Sequence, residues 1–146
     1  MAISSKISNS FKVEILTATH NFTASSGNTF NLALYTSSAT INKSTTAYSS
    51  TNEISNTSGS SYSAKGKALT SVTPVLDSDT AVCDFANISW TSATFTANGC
   101  LIFNDDASSD QSVCTFAFGG DKTVTSGTFT IEFPAAAAAT AIIQLA

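Results

Sequence analysis

The side chains of this sequence that could do chemistry are one imidazole, three thiols and a short run of carboxylates. His20 is the sole histidine, and beside a cysteine it could serve as the base of a Cys/His nucleophile pair. A lone histidine at the end of a short helix is more often a helix-end or packing residue. The thiols of Cys83, Cys100 and Cys114 lack C-x-x-C spacing, and each falls in a segment that reads as a strand. Such an odd set reads as buried, reduced thiols that pack as small hydrophobes, in preference to a disulfide or a metal site. Asp105, Asp106 and Asp110 crowd the run NDDASSD, where oxygen ligands would suit Ca²⁺. Their spacing departs from the D-x-[DN]-x-[DN]-G loop and the run has no glycine, so a solvated turn is expected and no metal.

Other constellations are weaker. Gly119 and Gly120 precede Asp121 and Lys122, but the pattern G-x-x-x-x-G-K-[ST] is absent, and a tight hairpin turn explains the residues. Trp90 with Tyr35, Tyr48 and Tyr62 could form a stacking face for a sugar; strand parity places Trp90 in the core instead. No spacing singles out two carboxylates as an acid/base pair. The expectation is a protein without catalytic residues or cofactors, and not an enzyme.

Composition narrows the class further. The chain has 146 residues, no arginine, six lysines and ten carboxylates, for a formal charge of -4. Without arginine the usual bidentate clamp for phosphate is missing, and the acidic balance leaves no footprint for nucleic acid. No apolar run reaches the roughly 18 residues that span a bilayer, and MAISSKISNS has no apolar segment of the signal-peptide kind. The expectation is a chain made in the cytoplasm with no membrane partner. N-x-Ser/Thr triplets at Asn21, Asn42, Asn56 and Asn87 carry little weight in so hydroxyl-rich a sequence.

Apolar residues at 42% against 11% charged describe a packed domain with a hydroxyl-rich surface, and the length fits one domain over residues 1–146. Residues 8–20 offer N-caps at Ser8, Asn9 and Ser10, with Phe11, Ile15 and Leu16 at helical spacing, so a short amphipathic helix is expected there. Phe30, Leu32 and Leu34 alternate as a half-buried strand ending near Tyr35. Residues 36–67 form a long polar loop or arm in which Ile41, Tyr48, Ile54 and Tyr62 stand isolated. Such a loop is either a mobile excursion or an arm that orders against a neighbour.

The remainder reads as a ladder of strands. Pro74 makes residues 68–77 an edge or broken strand. Ala81, Cys83 and Phe85 share one parity and Ile88 and Trp90 the other, which a bend near Ala86 and Asn87 would reconcile. Ala93, Phe95, Ala97, Leu101 and Phe103 keep one parity, with Gly99 marking a bend or close backbone approach. Cys114, Phe116 and Phe118 alternate up to the Gly119–Gly120 pair; Phe129, Ile131 and Phe133 alternate up to Pro134. A final strand is expected over residues 141–145. Short strands between turns of Gly, Asn, Asp and Ser imply an all-β fold, an antiparallel β-sandwich with the jelly roll among its forms, and one short N-terminal helix.

Taken together, TFNLALYTSSAT (29–40), TAYSSTNEIS (46–55), YSAKGKALTSVTP (62–74), DFANISWTSATFTANGCLIFN (84–104), FGGDKTVTSGTFTIEFP (118–134) and AIIQLA (141–146) resemble small virion structural proteins of tailed bacteriophages, the capsid decoration or cement proteins. The resemblance implies a structural protein on the capsid exterior that bridges subunits of the major capsid protein and stabilises the shell. A tail or neck location, or a carbohydrate-binding adhesion module displayed on the virion, is the alternative. Lattice symmetry makes a homo-oligomer, a dimer or trimer, the natural assembly. Tyr48, Ile54 and Tyr62 are the expected interface anchors, because isolated apolar residues in a polar loop need somewhere to bury.

Overall fold

The structure is a computed structural model that describes residues 2–55 and 59–146. The Asn56 triplet and that part of the long loop lie outside the described residues. Its elements are β1 (Lys6–Ile7), α1 (Asn9–Glu14), β2 (Phe30–Tyr35), β3 (Lys67–Ala68), β4 (Ser71–Asp77), β5 (Thr80–Phe85), β6 (Ile88–Asn104), β7 (Gln111–Ile131) and β8 (Ile143–Leu145). They form two antiparallel sheets, a large one in the order β1-β7-β6-β2-β3 and a small one in the order β4-β5-β8. The fold is all-β and sandwich-like, with one short helix. Consecutive strands form hairpins at β4–β5 and β6–β7 and pair across the long loop at β2–β3, whereas β1–β7, β2–β6 and β5–β8 join strands distant in sequence.

α1 is shorter than the periodicity predicts. Ser8 caps it only in backbone conformation, without a side-chain bond to the first turn. The helix gives way to turns after Glu14, where Thr17 Oγ1 donates to the Glu14 carbonyl and Ala18 takes φ 59°. A hydroxyl that competes for backbone acceptors, followed by a left-handed residue, stops helix propagation. Phe11 enters the core, whereas Leu16 of the predicted apolar face is 86% exposed.

β2 is not half-buried, because both of its faces are covered. Phe30, Leu32 and Leu34 join Phe11, Phe22, Phe85, Trp90, Phe95 and Ile143 in the main core between the sheets. Ala33 and Tyr35 point the other way, into a second core with Ala39, Ile41, Leu101 and Phe103. The covering layer is Ala39, Ile41 and Tyr48 of the long loop together with Ile3, so this part of the loop is a lid on the outer face of the large sheet, while Ile54 reaches the main core. It is tied down by Ile54 N–H to the Leu34 carbonyl at 2.9 Å and by isolated bridges Tyr35–Glu53 and Ala47–Gln111.

Strand breaks fall where the parity changes, but with a correction. Phe85 and Ile88 flank the bend at residues 86–87, where the chain leaves the small sheet for the large one. Ala93, Phe95 and Ala97 face the main core, while Leu101 and Phe103 face the second core and Cys100 and Ile102 take over the inner face. The single-parity run therefore lies on two faces. The register with β7 shifts between Ala97 and Gly99, and that irregularity turns the strand over. Gly99 does mark a close approach: a Cβ there would sit 2.5 Å from the Phe116 carbonyl oxygen and 2.6 Å from Ile3.

The Gly119–Gly120 pair ends no strand. β7 continues through it for 21 residues, with Ala117 opposite Gly99 and Lys122 opposite Ala97, so residues 118–121 bulge out against Asn98 alone. Gly119 (φ 75°) and Gly120 (φ 146°) supply backbone angles that other residues rarely adopt, and Asn98 Nδ2 donates to Asp121 at 2.8 Å across the bulge. The expected hairpin turn is thus a large bulge inside one strand.

Candidate functional site

The imidazole is internal. His20 is 6% exposed, and its ring packs 5.0 Å from Phe11 between centroids. Nδ1 faces the Asn104 amide nitrogen at 3.1 Å, so it accepts, and Nε2–H donates to Glu14 Oε2 at 2.9 Å. The same Asn104 amide reaches the Thr19 carbonyl at 3.3 Å and Asn28 Oδ1 at 3.2 Å. The group joins the end of α1, the 20–28 turn and the end of β6, closing one end of the sandwich. The three thiols are free and buried elsewhere in the main core. Burial pushes Cys83 and Cys100 up to about 12 and Cys114 well above the usual thiol range, so all stay neutral and weakly nucleophilic.

The acidic turn holds a lysine. Lys65 Nζ lies 2.8 Å from Asp105 Oδ1 and 2.9 Å from Asp110 Oδ2, and Asp105, then Asp110, raises its pKa. Asp106 accepts instead from the Thr29 amide, and its own N–H donates to Asn104 Oδ1 at 3.1 Å. Asp105 and Asp110 share Lys65 while Asp106 turns to a backbone amide, and no group of three metal-ligating side chains occurs among the described residues. Lys65 pins the end of the 36–67 segment to the β6–β7 turn and passes 5.8 Å from the Tyr48 ring centroid.

The three expected anchors are brought together, but inside the chain. Glu53 accepts from both tyrosines, Tyr48 Oη to Oε2 at 2.6 Å and Tyr62 Oη to Oε1 at 2.7 Å. Tyr62 also accepts the Leu34 N–H at 2.8 Å, and it is 1% exposed. Tyr48 stacks on Phe103 with centroids 4.8 Å apart, and Ile54 lies in the main core. Burial, and then Glu53, raises the Tyr48 phenol to about 12; burial raises Tyr62 and Tyr35 further. The need of Ile54 and Tyr62 for burial is therefore met within the chain, while Tyr48, also expected as an interface anchor, stays half-buried. Trp90, at 4% exposed, packs against Tyr62, Phe95 and Phe129, so it presents no sugar-stacking face.

What the molecule does present is a set of exposed apolar side chains on the small sheet. β4 is an edge strand, with Val72, Val75 and Leu76 at 41%, 53% and 72% exposure. Leu76 pairs with Ala81, which pairs with Leu145 on the opposite edge, itself 55% exposed. Paired residues share a face, so these leucines lie on one face, which continues toward Ile15 and Phe11 of the helical segment through a small apolar cleft, whereas Val72 and Val75, opposite Asp84 and Val82, lie on the other face. Pro74 marks β4 as an edge in the sequence, but nothing local distinguishes its exposed apolar residues from those of a buried strand. The register shift between Val72 and Val75, around Pro74, blunts direct edge pairing along the middle of the strand. No helix among the described residues is long and apolar enough to cross a membrane. Comparison of the chain with family models, with curated proteins and with solved structures finds no match.

Proposed function

We propose that this protein is a non-enzymatic structural component of a virion, a decoration or cement protein that docks on the outer face of an icosahedral shell and bridges neighbouring shell subunits. The observation that carries the reading is the set of exposed apolar side chains on the open-edged small sheet, Val72 and Val75 on one face and Leu76 and Leu145 on the other. Exposed apolar side chains at the edges of a sheet gain by burial against another protein, and the sandwich behind them fixes their geometry. The reactive side chains, by contrast, are bound internally: His20 to Glu14 and Asn104, Lys65 to Asp105 and Asp110, and Glu53 to two tyrosines. The resemblance of the strand and turn segments to phage decoration proteins supplies the shell as the partner.

Attachment of this kind rests on apolar area and hydroxyl hydrogen bonds, and many copies on a symmetric lattice add avidity. It is weakly salt-sensitive, since screening acts on charges that this surface scarcely uses. The test is to purify full particles with and without this chain. Stoichiometric copurification, with lower heat tolerance of particles that lack it, is expected. Particles equally robust without it, or attachment that dissolves in moderate salt, would sink the reading.

A further inference from the structure

Most of β7 is a sheet edge. β1 pairs with it only at Cys114 and Thr115, whereas β6 pairs with it as far as Ile131, so past the short β1 its outer side has no partner strand among the described residues. No backbone hydrogen bond among those residues joins 127–131 to anything but β6. The bulge at residues 118–121 and a second around Ser126, with φ 47°, interrupt the edge nearer β1, so the regular open stretch is 127–131. An apolar hollow of about 510 Å³ runs beside it, lined by residues 129–134 in unbroken succession together with Phe116, Phe118 and Ile142, the residue before β8. Successive strand residues point to opposite faces, so a space lined by all of them follows the main chain along its edge. Phe129, Ile131 and Phe133 turn to the main core there, yet they stay half-buried where the small sheet stops at β8.

We infer that an extended, uncharged segment of another protein chain adds to this edge as a further strand. The edge lacks main-chain partners and its inner face lacks an apolar cover. Strand addition supplies both, since alternate main-chain groups bond across a spacing of about 4.8 Å while every second side chain enters the hollow. Those inward side chains are uncharged, because the inner face at the hollow consists of phenylalanine, isoleucine and Cys100. Lys122 and Glu132, exposed beside it and of opposite sign, favour neither an acidic nor a basic segment. A second copy offering its own β7 edge would pair the main chains but bring another uncovered aromatic face, leaving both hollows open. The remaining edges are short or interrupted: β1 and β3 have two residues each, β8 has three, and Pro74 with a register shift breaks β4. The β7 edge is separate from Val72, Val75, Leu76 and Leu145 and does not rest on the proposed shell attachment.

The probe is an end-blocked hexapeptide of alternating valine and threonine, titrated into the intact protein while backbone amide and isoleucine methyl signals are followed by NMR. Saturable one-to-one binding is expected, with slowed amide exchange within residues 127–131 and shifts of the Ile131 and Ile142 methyls but not of Ile41, which lies in the second core. The same peptide methylated on every backbone nitrogen keeps its side chains but loses its main-chain donors, and it is expected to bind at least tenfold more weakly. Ile142→Glu, which sets a carboxylate at the hollow, is expected to weaken the parent peptide by a similar factor. The two peptides on the unaltered protein test the site even where that variant folds poorly. Non-saturable binding, equal binding of the methylated peptide, exchange protection confined to β4 or β8, or self-association that protects residues 127–131 without peptide would each overturn the proposal.

Discussion

Replacing Tyr62 by phenylalanine removes one oxygen from a place where two groups depend on it. The Leu34 N–H, 2.8 Å from Tyr62 Oη, lies in a strand buried on both faces, and nothing else is placed to accept it. An orphaned buried donor costs about 1–3 kcal/mol. The bond to Glu53 at 2.7 Å is also lost, but that carboxylate keeps Tyr48 and lies in an intermediate environment, so about 1 kcal/mol is added there. The sum is about 3 kcal/mol, a shift of about 1–2 M in a urea midpoint. Tyr48→Phe is the internal control: it breaks only the 2.6 Å bond to Glu53 and is expected to cost about 1 kcal/mol. Equilibrium urea unfolding, followed by the fluorescence of the sole tryptophan and by circular dichroism, measures both. Tyr62→Phe within about 0.5 kcal/mol of wild type, or no worse than Tyr48→Phe, would refute the claim that the 36–67 segment is latched to β2 through this phenol.

Alkali is expected to unfold the protein early. Thiols and phenols with raised folded pKa values hold their protons after the unfolded chain has released them, so stability is full below about pH 8.5 and falls as pH rises toward about 12. Each buried thiol contributes a slope of about 1.4 kcal/mol per pH unit, and a flat stability profile from pH 8 to 11 would contradict the burial of Cys83, Cys100 and Cys114. Gly99→Ala is expected to cost about 1–3 kcal/mol by thermal unfolding, because its methyl meets the Phe116 carbonyl and Ile3; a neutral effect would deny the close approach. Lys65→Met is expected to change stability by less than about 1 kcal/mol despite its two ion pairs, since its side chain is 42% exposed and screened. A loss of several kcal/mol would show that the clamp is more than a surface pair.

Strand identity was legible wherever burial is decided by nearest neighbours. Phe30, Leu32 and Leu34 alternate, and they do line the main core; Pro74 marks β4 as an edge, and β4 is one. Gly99 as a close approach and the cysteines as buried free thiols follow the same logic of small side chains in packed places. What escaped is set by contacts distant in sequence. Ala33 and Tyr35 are buried by a loop that reads as polar, and that loop is held by Glu53, a residue with no local signal. Period-two alternation assumes an unbroken strand and so groups Leu101 and Phe103 with Ala97, although a register shift at Gly99 turns them over. Gly119 and Gly120 resemble a turn because a bulge demands the same backbone angles. Isolated apolar residues do seek burial, and for Ile54 and Tyr62 their own sheet is near enough to provide it.

A cryo-electron microscopy map of the intact particle tests the proposed role most directly. The expected result is density for this sandwich on the outside of the shell, repeated with its symmetry, with Val72, Val75, Leu76 and Leu145 buried against neighbouring shell subunits. Particles without such density, or a map that places the chain elsewhere with the β4 edge facing solvent, would contradict it.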